Sequence, residues 1–153
     1  MIGRLYTVAI ASQAQTASKT LIEVASAADS VTLVERIWIT QTSFDTSENL
    51  GSTTQRITTT GTGTATTPEP LQVGDSAFGG VVETNATIEP SYTAGTEILQ
   101  LGFNVLSGLL WTPANDDEII TVSPSALVGI NLDVAPSASM NFSYGCTIRE
   151  IGG

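Results

Sequence analysis

Apolar and polar residues alternate strictly at two places in the chain, and this alternation restricts the fold more than any other feature. Leu99, Leu101, Phe103 and Val105 are separated by Gln100, Gly102 and Asn104. Val128, Ile130, Leu132 and Val134 are separated by Gly129, Asn131 and Asp133. A period of two sends successive side chains to opposite faces of a strand, one toward a core and one toward water. Strand signals also cover residues 4–11, 20–25, 31–42, 54–60, 81–88, 109–112, 119–122 and 140–151. Turn chemistry divides them at Asp29-Ser30, Pro90-Ser91, Ala94-Gly95, 113–117, Pro124-Ser125 and Pro136-Ser137. The 23 threonines suit a pleated, half-buried surface. The pattern implies an all-β fold: one antiparallel β-sandwich, jelly-roll-like, over residues 1–153. No period of 20 to 50 residues suggests a propeller or solenoid.

One stretch breaks the rhythm. Between the Thr-rich strand ending near Thr60 and the strand starting at Val81 lie residues 61–80, GTGTATTPEPLQVGDSAFGG. Connections this long are uncommon within compact domains. Dividing the chain here leaves pieces of about 60 and 73 residues, too small to bury a comfortable core alone. The stretch therefore reads as a long ordered arm: flexible Thr/Gly, then stiff Thr-Pro-Glu-Pro, then apolar Leu71, Val73 and Phe78. In the strand at 31–42, Val31, Leu33, Ile37 and Ile39 are expected on one face and Val34, Arg36 and Trp38 on the other. A strand apolar on both faces is central, or is covered by another chain.

Charge and chemistry narrow the function. The net charge is −10, with one Lys, four Arg and no His. No basic footprint exists for phosphates, so no nucleic-acid partner is expected. Without His, imidazole bases and most zinc sites are excluded. Lys19, three residues after Thr16, has a nucleophile-x-x-Lys spacing but lies in a connection between strands. Glu83, Glu89, Glu97 and Asp133 are nominal candidates for a carboxylate pair. Asp45, Glu48 and 116–118 are acidic loops without the calcium-loop pattern. Gly61-Thr-Gly63 lacks the remainder of any phosphate loop. Cys146 alternates with Tyr144 and Ile148 and reads as a small core hydrophobe. The sequons at Asn85 and Asn141 are discounted, because the apolar run near the N-terminus is short and alternates as a strand does, so no export is expected. No apolar stretch approaches the roughly 20 residues of a membrane helix. The expectation is a protein without catalytic residues, metal or cofactor.

An acidic, His-free, all-β chain of this length with Arg4-Leu5-Tyr6, the 56–67 Thr/Gly run, Thr67-Pro68-Glu69-Pro70-Leu71 and Glu83-Thr84-Asn85 resembles the decoration or cement proteins of tailed-bacteriophage heads. The resemblance implies a virion protein, made in the bacterial cytoplasm, that binds the outside of the assembled major capsid protein as a homotrimer and stabilises the shell. The arm at 61–80 is then expected to lie across a neighbouring subunit, with Pro68, Pro70, Leu71, Val73, Phe78 and Trp111 at the protein interface. Deleting residues 62–70 is expected to leave a folded chain. The alternative is a head-fibre or tail adhesin module that binds a host glycan or receptor.

Overall fold

Residue burial alternates along β12 (Met140–Gly152), with Phe142, Tyr144, Cys146 and Ile148 fully buried. The computed structural model describes residues 3–43 and 47–153. In it, β12 pairs antiparallel with β1 (Arg4–Gln15) on one side and β3 (Ser30–Gln41) on the other. This first sheet is completed by β6 (Glu69–Pro70) beyond β1, and by β9 (Leu109–Trp111) and β10 (Ile120–Val122), which share the far edge of β3. The second sheet runs β5 (Thr62–Thr66), β7 (Val81–Ile88), β2 (Lys19–Ala25), β11 (Leu127–Leu132), β4 (Asn49–Thr59), β8 (Ser91–Asn104). The chain is thus an all-β sandwich of two antiparallel sheets. Its core is one cluster, in which Tyr6, Val34, Ile37, Phe142 and Tyr144 of the first sheet join Leu21, Val24, Ile130 and Phe103 of the second.

The alternation at 99–105 and 128–132 behaves as its period requires, but the pattern in β3 does not. The pairing with β12 slips by one residue between Thr147 opposite Arg36 and Ile148 opposite Val34, which makes Glu35 an extra residue in the strand. Such a bulge shifts the phase of the side chains beyond it. Thr32 and Val34 are therefore buried with Ile37 and Ile39, while Val31, Leu33 and Trp38 lie outward and half-buried. This corrects the faces expected from simple alternation. Val134, counted with β11 by alternation, lies beyond the strand and is exposed.

Each sheet also lays one aromatic ring over a glycine. A Cβ on Gly145 would stand 2.1 Å from the Val8 carbonyl oxygen and 2.2 Å from Trp38 Cζ2. A Cβ on Gly129 would stand 2.5 Å from the Tyr92 hydroxyl, which donates to Asn131 Oδ1 (2.7 Å) and shares a 2.6 Å hydrogen bond with Thr20. The rings occupy the outer faces, where a side chain at either glycine would displace them.

We expect Gly145→Ala to overpack this site and cost about 3 kcal/mol in urea unfolding. Burial pushes the Cys146 thiol and the Tyr144 phenol up to about 12. The unfolded thiol ionises near 9.0 and the phenol near 10.0, so above these values the unfolded chain binds fewer protons than the native one. Stability falls as pH rises from about 9 toward 12, by up to about 1.4 kcal/mol per pH unit for each titrating group. A series of thermal melts across this range checks the slope, and native Cys146 should resist thiol reagents until unfolding.

Candidate interaction surface

The stretch at 61–80 is not a free arm. Residues Thr62–Thr66 pair with β7 at one edge of the second sheet, with Gly63 N–H donating to Glu83 Oε2 at 2.9 Å. The chain then crosses to the opposite layer, where Glu69 and Pro70 pair with Thr7 and Tyr6 of β1. Pro at this position costs nothing, because the edge of a sheet has no further strand to receive its missing N–H. Leu71 N–H donates to the Leu5 carbonyl (2.8 Å) and Asp75 N–H to that of Gln72 (3.2 Å). Gly74, at φ +99, supplies the left-handed residue of this turn. The chain returns through Phe78, whose ring meets Tyr6 edge-on at 5.4 Å between centroids, and enters β7.

The fastening point is Glu150, only 2 % exposed. Its carboxylate accepts from Gly79 N–H (3.0 Å), Ser30 Oγ (3.3 Å) and Tyr6 Oη (3.3 Å). The Tyr6 hydroxyl also reaches the Ser76 carbonyl at 3.0 Å. Burial first, and then the neighbouring Glu150 charge, raise the Tyr6 pKa and keep its proton on the bridge. A buried carboxylate with several donors is satisfied; without them it would be expelled to water.

This geometry sorts the residues expected at an interface. Phe78 is built into the core beside Tyr6 and Pro68 is buried, so neither is free to touch a neighbour. Pro70 is half-buried in its pairing with Tyr6. Leu71 is 55 % exposed and Val73 fully exposed, at the tip of a tongue spanning residues 71–77. Trp111 is not on the tongue. It packs partly against the core at the opposite edge of the first sheet, lining a 470 Å³ cleft with Arg56, Ile98, Asp117 and Glu118. Deleting residues 62–70 removes β5 and β6, so a folded deletion variant is no longer expected.

The carboxylates considered for chemistry have structural partners. Glu89 accepts from Thr20 N–H and Oγ1 at 2.9 and 2.7 Å. Asp133 accepts from Thr53 Oγ1 at 2.8 Å, and Glu97 from Gln55 Nε2 at 3.5 Å. Glu48 receives Ser137 N–H and Glu118 receives Ala114 N–H. Asp116–Glu118 forms a single 3-10 turn capped by Asn115. Lys19 opens β2 and donates to Asn85 Oδ1 at 3.2 Å. Asp45 lies outside the described residues. Among the described residues, no group of three or more His, Cys, Asp or Glu is placed to hold a metal ion, and no helix is long and apolar enough to cross a membrane.

Residue-level reading missed a second surface. The outward side of the first sheet carries Leu5, Val31, Leu33, Trp38, Leu110 and Ile151, with Leu110 70 % exposed. The signal was present in β3, whose residues are apolar on both faces, but the bulge at Glu35 hid which ones point outward.

The fold therefore defines a two-sheet antiparallel β-sandwich with a fastened apolar tongue. Comparison with protein-family models, with curated proteins and with solved structures finds no match in any of the three.

Glu150→Ala strands the Ser30 hydroxyl in the interior and takes the partner from Gly79 N–H, while Tyr6 keeps the Ser76 carbonyl. We expect a cost of about 2–3 kcal/mol and lost hydrogen-exchange protection at Gly79, against about 1 kcal/mol for Glu83→Ala at the half-buried edge. Amide exchange followed residue by residue distinguishes the two.

Proposed function

We propose that this chain is a non-enzymatic decoration protein. It docks on the outside of an assembled major capsid protein shell, as a homotrimer, and stabilises that shell. The observation that supports this most is the tongue. Leu71 and Val73 stand in water, yet the backbone beneath them is tied by the Leu5 carbonyl, Tyr6 and Glu150. Exposed apolar side chains on a backbone already held in place lose little entropy on docking, so their burial converts efficiently into affinity. The sequence resemblance supplies the shell as partner; the tongue supplies a means of holding it. A second reading, an adhesin module, draws support from the cleft beside Trp111, where an aromatic ring, Arg56 and two carboxylates surround a concavity of sugar-like dimensions.

The test is binding to shells of the encoding phage that lack the protein, measured by co-sedimentation. Leu71→Ser combined with Val73→Ser should weaken binding by about a hundredfold, given the apolar burial lost. Its melting temperature should stay within about 2 °C of the parent, because exposed sites contribute little to folding. Full occupancy by the double variant, or no binding by the parent, overturns the proposal. Glycan capture by the isolated chain, abolished by Trp111→Ala, selects the second reading.

A further inference from the structure

The cleft beside Trp111 lies on the side of the sandwich where the two sheets end, at β8 and at β9 and β10. Two rows of core residues run out into it. In the second sheet Val82, Val24 and Val128 stand side by side, all buried, and the next position in the row is Arg56. In the first sheet Val8, Cys146 and Ile37 form a buried row whose next position is Trp111. Opposed residues of antiparallel strands share a face, so the guanidinium and the indole both belong to the side between the layers. The pairing of β8 with β4 slips from Glu97 opposite Gln55 to Tyr92 opposite Ile57, which leaves Arg56 with nothing opposite it on β8. The cleft, about 470 Å³ in volume, opens there over Leu99 and Ile120, which pack against the core.

The polar groups of the cleft identify what can fill it. Among the described residues the one ion pair joins Glu35 and Arg149, so no described carboxylate pairs with Arg56. Both Glu118 oxygens are taken by the turn that carries them, from Ala114 N–H and Asn115 Nδ2. Asp117 gives its N–H to Asn115 Oδ1, and its carboxylate accepts no hydrogen bond among the described residues. The second-sheet wall thus presents an unpaired cation, and the first-sheet wall an aromatic ring beside an unpaired acceptor. A ligand that fills this cleft takes water from the guanidinium, which is unfavourable unless an anion replaces it. The ligand must also bring hydrogen-bond donors to Asp117. An aliphatic or aromatic acid meets the first demand and fails the second; a neutral sugar does the reverse. A sugar acid meets both, and its apolar ring face suits an indole. The net charge of −10 opposes any anion at a distance, but at about 0.1 M salt that field is screened within about 10 Å, so the contact at Arg56 decides.

We infer that this cleft binds an acidic saccharide, with a sugar carboxylate on Arg56, its ring against Trp111 and its hydroxyls donating to Asp117. This deepens the adhesin reading and rests on that reading for the saccharide itself; it is independent of docking on a shell. Arg56 is the residue that selects an acidic sugar over a neutral one, because only a carboxylate returns to the guanidinium what water gave it. Trp111 recognises the ring whatever its charge. The tongue lies at the opposite edge of the first sheet, so a saccharide in the cleft leaves Leu71 and Val73 free for a different partner.

Calorimetric titration of the purified full chain with oligogalacturonate, oligomannuronate and sialyllactose, each beside its methyl ester, provides the test. At least one acid should bind, and its ester about tenfold more weakly, because a charge-assisted contact becomes a neutral one. Arg56→Gln should remove that difference by weakening the acid alone. Trp111→Ala should weaken acid and ester together, whereas Trp38→Phe, on the outer face of the first sheet, should change neither. Arg56 is exposed, so Arg56→Gln should melt within about 2 °C of the parent and report on binding rather than folding. Esters bound as tightly as acids, or an acid preference that survives Arg56→Gln, overturn this inference and leave the adhesin reading standing. No binding by any acid or ester overturns both, and shell binding by the same preparation is read separately.

Discussion

The carboxylate of Glu150 sits between the two layers, and much of the structure depends on its being satisfied there. It comes from the central strand of the first sheet and collects donors from β3, from β1 and from the segment leading into β7. A charge at this depth costs several kcal/mol unless donors surround it. Once they do, the segment that supplies them is fixed in place. The tongue, the buried ring of Phe78 and the entry into β7 are thereby set by one side chain.

The same economy recurs through the chain. With a single lysine and four arginines, there are few cations to pair with fifteen carboxylates. Six of the described carboxylates, Glu23, Glu48, Glu83, Glu89, Glu118 and Glu150, instead accept a backbone N–H at a turn or strand end. Acidity that reads from composition as a solvating surface is in part a set of backbone fasteners. These hold irregular connections that the hydrophobic core does not reach.

The sheet class was legible because alternation is a direct projection of strand geometry. It succeeded at Leu99 to Val105 and at Val128 to Leu132, where one face is the more buried and the strand itself carries no inserted residue; the slip opposite Ile130 and Asn131 is taken up by β2. It failed in β3 because one inserted residue, Glu35, shifts the phase without marking the sequence. It also failed for β5 and β6. Thr62–Thr66 carries two small residues and no large apolar one, and Glu69–Pro70 is a two-residue edge strand containing proline. Their pairing is decided by the neighbours they meet, which no local pattern encodes. Phe78 was correctly read as apolar but assigned to a neighbour, because its partner Tyr6 lies 72 positions away in the chain.

The ring-over-glycine arrangement has a consequence for how such a chain can change over time. Trp38 and Gly145 fill one volume between them, as do Tyr92 and Gly129. Enlarging Gly129 is harmful unless the Tyr92 ring shrinks first, and shrinking a ring alone uncovers backbone; at Gly145 the Val8 carbonyl oxygen bars a side chain whatever stands at position 38. Tyr92 and Gly129 are thus expected to drift jointly among descendants, with the order of replacements constrained, whereas Gly145 stays fixed while position 38 varies.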